Sequence, residues 1–243
     1  MGLFSYLFSK PTKPDTPQSS AASGHGAAQQ NQHVSAEDGG ETSNFDLQLQ
    51  DILANYPKEL AERYPQKSPE FLRALVLASQ GEDRRALDLL AKLPIGEQDD
   101  LFDYELGILM ARHGHDAKAC NTMRSCLRQN PDHLLAAETL VILLVGLEKN
   151  DEALELSLKM LLEERDSAFC HAQLATLYHL QQDNELALKH GLHAIDAGHN
   201  DPNIILFVAT LLEQNNELEQ AETLYAKIPG GRKCSVDAKD SSV

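Results

Sequence analysis

Tryptophan is absent from the 243 residues, and aromatic side chains make up only 5% of them. β-Branched and aromatic residues, the strand formers, are thin, and the apolar share of 42% comes mostly from Leu and Ala. Those two residues favour helices, so an all-α fold is expected. Cysteine is scarce as well. Cys120, Cys126, Cys170 and Cys234 show no CxxC spacing, which argues against a disulfide framework and suggests a reducing compartment. No apolar run approaches the roughly 18–20 residues that cross a bilayer. The stretch Leu3–Phe8 is too short for a signal-peptide core, and no basic residue precedes it. A cytoplasmic protein is therefore expected, at most peripheral at the inner face of a membrane.

Positive charge is also short. With 21 basic against 37 acidic residues the formal net charge is −16. Such a surface repels nucleic acid and anionic headgroups, so no nucleic-acid partner is expected.

Catalytic signatures are missing too. There is no GxSxG, no Walker-type glycine loop and no HExxH. The tightest group of metal-ligand types is His113 and His115 with Cys120 and Cys126. The two cysteines lie six apart on one predicted helix and project differently. His190 and His193 lie three apart with no carboxylate or thiol placed to join them. Neither enzyme activity nor a cofactor is expected.

What the chain does have falls into four stretches. Residues 1–44 open with an apolar cluster, Leu3, Phe4, Tyr6, Leu7 and Phe8, followed by Pro-, Ser-, Gly- and Gln-rich sequence. That linker cannot bury enough surface to offset its ordering entropy and should be disordered. The cluster is a candidate docking motif, for a partner, for the protein's own groove, or as a weak membrane foothold. Tyr6 stands where a myristoylation signal has Ser or Thr. Residues 45–66 hold a helical face, Phe45, Leu49, Ile52, Leu53 and Tyr56, then Leu60, Ala61 and Tyr64. Ser43 or Asn44 is the expected cap, and the pair reads as capping helices. Residues 231–243 should form a flexible tail.

Between them, residues 67–230 repeat. Ala86, Ala119, Ala153, Ala187 and Ala221 are spaced by 33, 34, 34 and 34. A polar turn precedes each one. Twelve residues earlier stand Ala74, Gly107, Val141, Ala175 and Ala209, and nine earlier Leu77, Met110, Leu144, Tyr178 and Leu212. Small residues at facing positions let two antiparallel helices approach, and larger ones fill the space between pairs. One pair cannot bury its apolar face alone, so pairs must stack. Ser68-Pro69 and Asp201-Pro202 each place a capping side chain before a proline at the first helical position.

This 34-residue period resembles the tetratricopeptide repeat (TPR) family, best in Leu106-Gly107, Gly114, Ala119 and Pro131, and in Leu174, Ala175, Tyr178 and Ala187. The early Trp of the family is missing, Arg73 replaces a usual Leu, and Ser157 and Gly191 stand where a large aromatic packs. The resemblance implies a right-handed α-solenoid of about five TPR-like helix pairs, used as a protein-interaction scaffold or adaptor. It places the first helix of each pair on a concave groove. The groove positions are then Phe71, Leu75 and Ala78; Leu101, Tyr104, Ile108 and Arg112; Leu135, Glu138, Ile142 and Val145; Phe169, Thr176 and His179; and Asn203, Leu206 and Thr210. The Lys and Asn with which chaperone-binding members hold a terminal carboxylate are replaced by Phe71, Leu75, Tyr104 and Ile108. An apolar segment of a protein partner is the expected occupant. The alternative is a subunit of a larger assembly, near the cell envelope or a secretion machine, that self-associates as a homo-oligomer.

Overall fold

The computed structural model describes residues 38–228, so Leu3, Phe4, Tyr6, Leu7, Phe8, Cys234 and the C-terminal tail lie outside the described residues. The described chain is all-helical, as expected. It divides into two compact units, Met1–Pro131 and Asp132–Val243.

The first unit contains α1 (Asp38–Leu53), α2 (Lys58–Ala61), α3 (Pro69–Ser79), α4 (Asp83–Leu90), α5 (Asp100–Arg112) and α6 (Asp116–Gln129). Single 3₁₀ turns occupy Tyr64–Gln66 and Ile95–Glu97. Helix α1 differs from expectation at its start. It runs ahead of Phe45 and past Ser43 and Asn44, which are helical residues and not caps. The second unit contains α7 (Leu134–Gly146), α8 (Asn150–Leu162), α9 (Ser167–Leu180), α10 (Asn184–Asp196), α11 (Pro202–Gln214) and α12 (Leu218–Tyr225). Helices pair consecutively, two pairs in the first unit and three in the second.

The pairs form for the reasons the repeat suggests. Ala86, Ala119, Ala153, Ala187 and Ala221 are all fully buried, as are Val141, Ala175 and Ala209 opposite three of them. At Gly107 an added Cβ would meet the Met123 methyl at 2.6 Å, so the α5–α6 approach is close there and a larger residue would make the Met123 side chain shift. At Gly191 an added Cβ would meet the branched Val208 side chain at 2.4 Å, with the Ala175 methyl at ordinary contact distance.

Capping sets the helix starts. Ser68 accepts from the Phe71 amide, Asp99 from Phe102, Asp183 from Leu186 and Asp201 from Asn203. The turn inside each pair is the same in all five. Gly81, Gly114, Glu148, Gln182 and Asn216 take positive φ, between 58° and 78°. In each case the next amide reaches back to the carbonyl five residues before it, from Glu82 to Leu77 through Glu217 to Leu212. That is the Schellman closure of a helix end. Only two of the five turns carry the glycine that makes it legible in sequence.

Candidate functional site

The first-helix faces of the two units differ. In the first unit, Phe71, Leu75, Ala78, Leu101, Tyr104 and Ile108 are all buried. They lie beneath the chain's own residues 45–66. Tyr64 packs against Phe71 with ring centroids 6.0 Å apart, and Tyr56 meets Tyr104 edge-on at 6.3 Å. The hydroxyls of Tyr56 and Tyr64 both donate to Glu105 Oε1, at 3.0 and 2.5 Å. Burial pushes the Glu105 carboxyl up to about 6, against the lowering pull of those two hydrogen bonds and of Arg112. Desolvation next to that carboxylate raises both phenols well above their ordinary value.

Arg112 faces inward instead of toward a ligand. Its guanidinium donates to the Ala78 carbonyl at 2.9 Å and pairs with Asp83, which His113 also approaches at 3.4 Å. A polar cleft of about 400 Å³ opens between Arg63, Lys67, Ser68, Gly96, Glu97 and Asp99. Both of its cations are already engaged. Arg63 grips Asp100 through two bonds of 2.6 and 2.5 Å, and Lys67 holds Asp99 and the Glu97 carbonyl at 2.9 Å each. The cleft therefore offers a ligand little uncommitted charge.

In the second unit the corresponding face is open in part. Leu135 and Phe169 are buried, Ile142, Val145 and Thr176 are half-buried, and His179, Asn203 and Thr210 are exposed. Leu206 is 44% exposed. Thr176 and Thr210 donate their hydroxyls to the carbonyls of Ala172 and Leu206, at 3.2 and 2.8 Å. With the hydroxyls turned onto their own helices, this end of the face is less polar than the sequence suggests. His179 is fixed by Asn184 at 2.8 Å and by an edge contact with Phe207 at 5.0 Å.

At the base of this face sits Glu138, only 3% exposed. Burial pushes its carboxyl up to about 8, and the charge and hydrogen bond of Asp166 push the same way. It is mainly protonated at neutral pH, and the face carries a neutral acid there. Asp166 has φ +26° and caps α9 through the Phe169 amide at 3.0 Å.

Cys120, Cys126 and Cys170 are buried and form no disulfide among the described residues. Burial raises Cys126 and pushes Cys170 up to about 12, so neither is a nucleophile at neutral pH. Sequence reasoning missed that His171 joins His190, with Nδ1 atoms 2.9 Å apart, and lies 5.1 Å from the ring of His193. Their separation of 19 residues, from α9 to α10, belongs to no motif. Among the described residues no three His, Cys, Asp or Glu side chains are placed to hold a metal ion. Nor is any described helix long and apolar enough to cross a membrane.

Comparison with known proteins places these observations. Solved structures share the fold. MamA residues 41–end from Desulfovibrio magneticus RS-1 superposes with a TM-score of 0.55 at 17% identity, covering 63% of this chain and 88% of that one. MamA AMB-1 superposes with 0.52 at 19% identity, covering 65% and 87%. No curated protein sequence matches the chain. The profile of the tetratricopeptide repeat matches residues 61–228, and the chain belongs to the tetratricopeptide repeat family.

Proposed function

We propose that the protein is a non-enzymatic protein-interaction scaffold whose second unit holds an apolar segment of a protein partner. The face formed by the first helices α7, α9 and α11 is the docking surface. Tetratricopeptide repeats act as interaction scaffolds, and the local chemistry narrows the ligand. Ile142, Val145, Leu206 and the two threonines with inward-bonded hydroxyls make a mainly apolar strip. His179 and Asn203 supply polar contacts at its edge, and Leu135, Glu138 and Phe169 form the floor.

The observation that carries this reading is the contrast between the units. Phe71, Leu75, Leu101, Tyr104 and Ile108 are covered by the chain itself, whereas their counterparts Ile142, Thr176 and Leu206 remain accessible. An apolar helix or extended segment fits such a surface. The test compares capture by the wild type with capture by an Ile142→Glu, Leu206→Glu variant shown to be helical by circular dichroism. A partner held by the wild type and lost from the variant supports the reading. Equal retention by both moves binding elsewhere.

A second reading has its own observation. Leu158 and Leu162 lie one turn apart on α8 and are 41% and 85% exposed. Such a pair suits self-association or burial in a larger assembly. Light scattering that gives a dimer or larger species for the wild type and a monomer for Leu158→Glu, Leu162→Glu would favour it.

A further inference from the structure

The segment that covers the first unit is held unevenly. Its second half is anchored: Tyr64 is fully buried, Tyr56 and Tyr64 share Glu105, and Arg63 holds Asp100. Its first half, α1, rests on α3. A side-chain hydrogen bond from Gln80 Nε2, at the C-cap of α3, to Gln48 Oε1 of α1, 3.1 Å long, is exposed to solvent. Phe45, Leu49, Ile52 and Leu53 are only half-buried, and Leu47 is 58% exposed. Gly39 and Gly40 lie in its first turn, and glycine is a weak helix former. Below Ile52 and Tyr56, against Leu75, Ala78, Ile108, Leu109 and Arg112, remains a cleft of about 20 Å³. That is room for about one water molecule. A helix with few fully buried side chains and an imperfect seat belongs to the low-stability end of a fold.

We propose that α1 is a displaceable cover, and that its seat on α3 and α5 is a second docking surface for an amphipathic helix of a protein partner. The cover states the ligand chemistry. On α1, Phe45, Leu49 and Ile52 fall at i, i+4 and i+7, so the incoming helix carries apolar side chains at that spacing. Displacement exposes Leu75, Ala78 and Ile108 and leaves Tyr64, α2 and the Arg63–Asp100 pair in place. Opening therefore stops short of unfolding the unit. The covered seat binds with an affinity reduced by the fraction of time that α1 is off it. This surface lies wholly in the first unit, so it stands or falls separately from the face of α7, α9 and α11.

The test uses the full chain and a fluorescent peptide with the sequence of residues 44–53. Three proteins are compared by fluorescence anisotropy: the wild type, a released variant (Leu49→Asp, Ile52→Asp), and a locked one. The locked protein carries Gln48→Cys, Gln80→Cys and Cys234→Ser and is bridged by a short thiol cross-linker. The released variant should bind the peptide at least about tenfold more tightly than the wild type. The locked protein should not bind, and Ala78→Glu in the released background should remove binding. Hydrogen exchange on the wild type adds a measurement independent of any variant: α1 amides should exchange well before those of α3 and α5. Equal binding by all three proteins, no binding by the released variant, or α1 amides as protected as α3 overturns the proposal.

Discussion

Ser157 lies on α8 with its hydroxyl fully buried and without a hydrogen-bond partner among the described residues. A buried hydroxyl left unsatisfied costs about 1–3 kcal/mol, so removing it should stabilise the fold. Ser157→Ala is expected to raise the thermal midpoint in a melt followed by circular dichroism, and a fall would show that the hydroxyl is in fact bonded. Glu138 gives a pH signature instead. Its folded-state carboxyl sits near 8 against an ordinary value of 4.5, mainly through burial. The fold thus binds a proton there that the unfolded chain releases, and stability falls as pH rises from about 4.5 to about 8. Glu138→Gln keeps the shape and deletes the titration. The variant should gain on the wild type by at least about 1 kcal/mol between pH 5 and pH 8, measured by urea denaturation at both values. A gain that does not depend on pH would place Glu138 in a solvated site. Neither effect is legible in a single sequence. Periodicity places Ser157 at a packing position and Glu138 on the groove, but it does not say which polar atom will lack a partner or which acid will face another.

At the level of elements, the five intra-pair turns share one backbone geometry but not one residue. Gly81 and Gly114 adopt positive φ freely, whereas Glu148, Gln182 and Asn216 hold it at 58°, 65° and 63° against the penalty on a Cβ. Replacing Gln182 by Gly should therefore stabilise the second unit by roughly 0.5–1 kcal/mol. The same change at the helical residue Gln173 should destabilise by a similar amount. Chemical denaturation of the two variants beside the wild type checks the pair, and destabilisation by both would contradict the turn geometry. The helix pairs themselves were readable because a small residue must recur wherever two helices touch closely, and Ala86 to Ala221 mark those places. The early ends of the first and last second-helices were also readable, from the similar strings ALDLLAKLP at 86–94 and AETLYAKIP at 221–229: α4 and α12 have eight residues each, where α6, α8 and α10 have 13 or 14. The fate of the first-unit face was not. Tyr56 and Tyr64 meet Glu105 across 49 and 41 residues, and no local pattern encodes a long-range pairing. Tyr64 counted only as an apolar repeat of a short helix.

Across the whole molecule, family membership defines the kind of protein and the side chains define where it is available. The tetratricopeptide repeat spans residues 61–228, and inside that span the first-helix positions have two fates. Those of α3 and α5 serve the fold beneath residues 45–66, while part of those on α7, α9 and α11 reach solvent. The acidic balance of −16 adds that a partner segment with basic flanks would be drawn in faster at low salt. The most direct measurement is hydrogen exchange on the full-length protein with and without its captured partner. Added protection concentrated in α7, α9 and α11, at the turns of helix bearing Ile142, Thr176 and Leu206, is the predicted result. Protection confined to α8 around Leu158 and Leu162, with the three first helices unchanged, would contradict it.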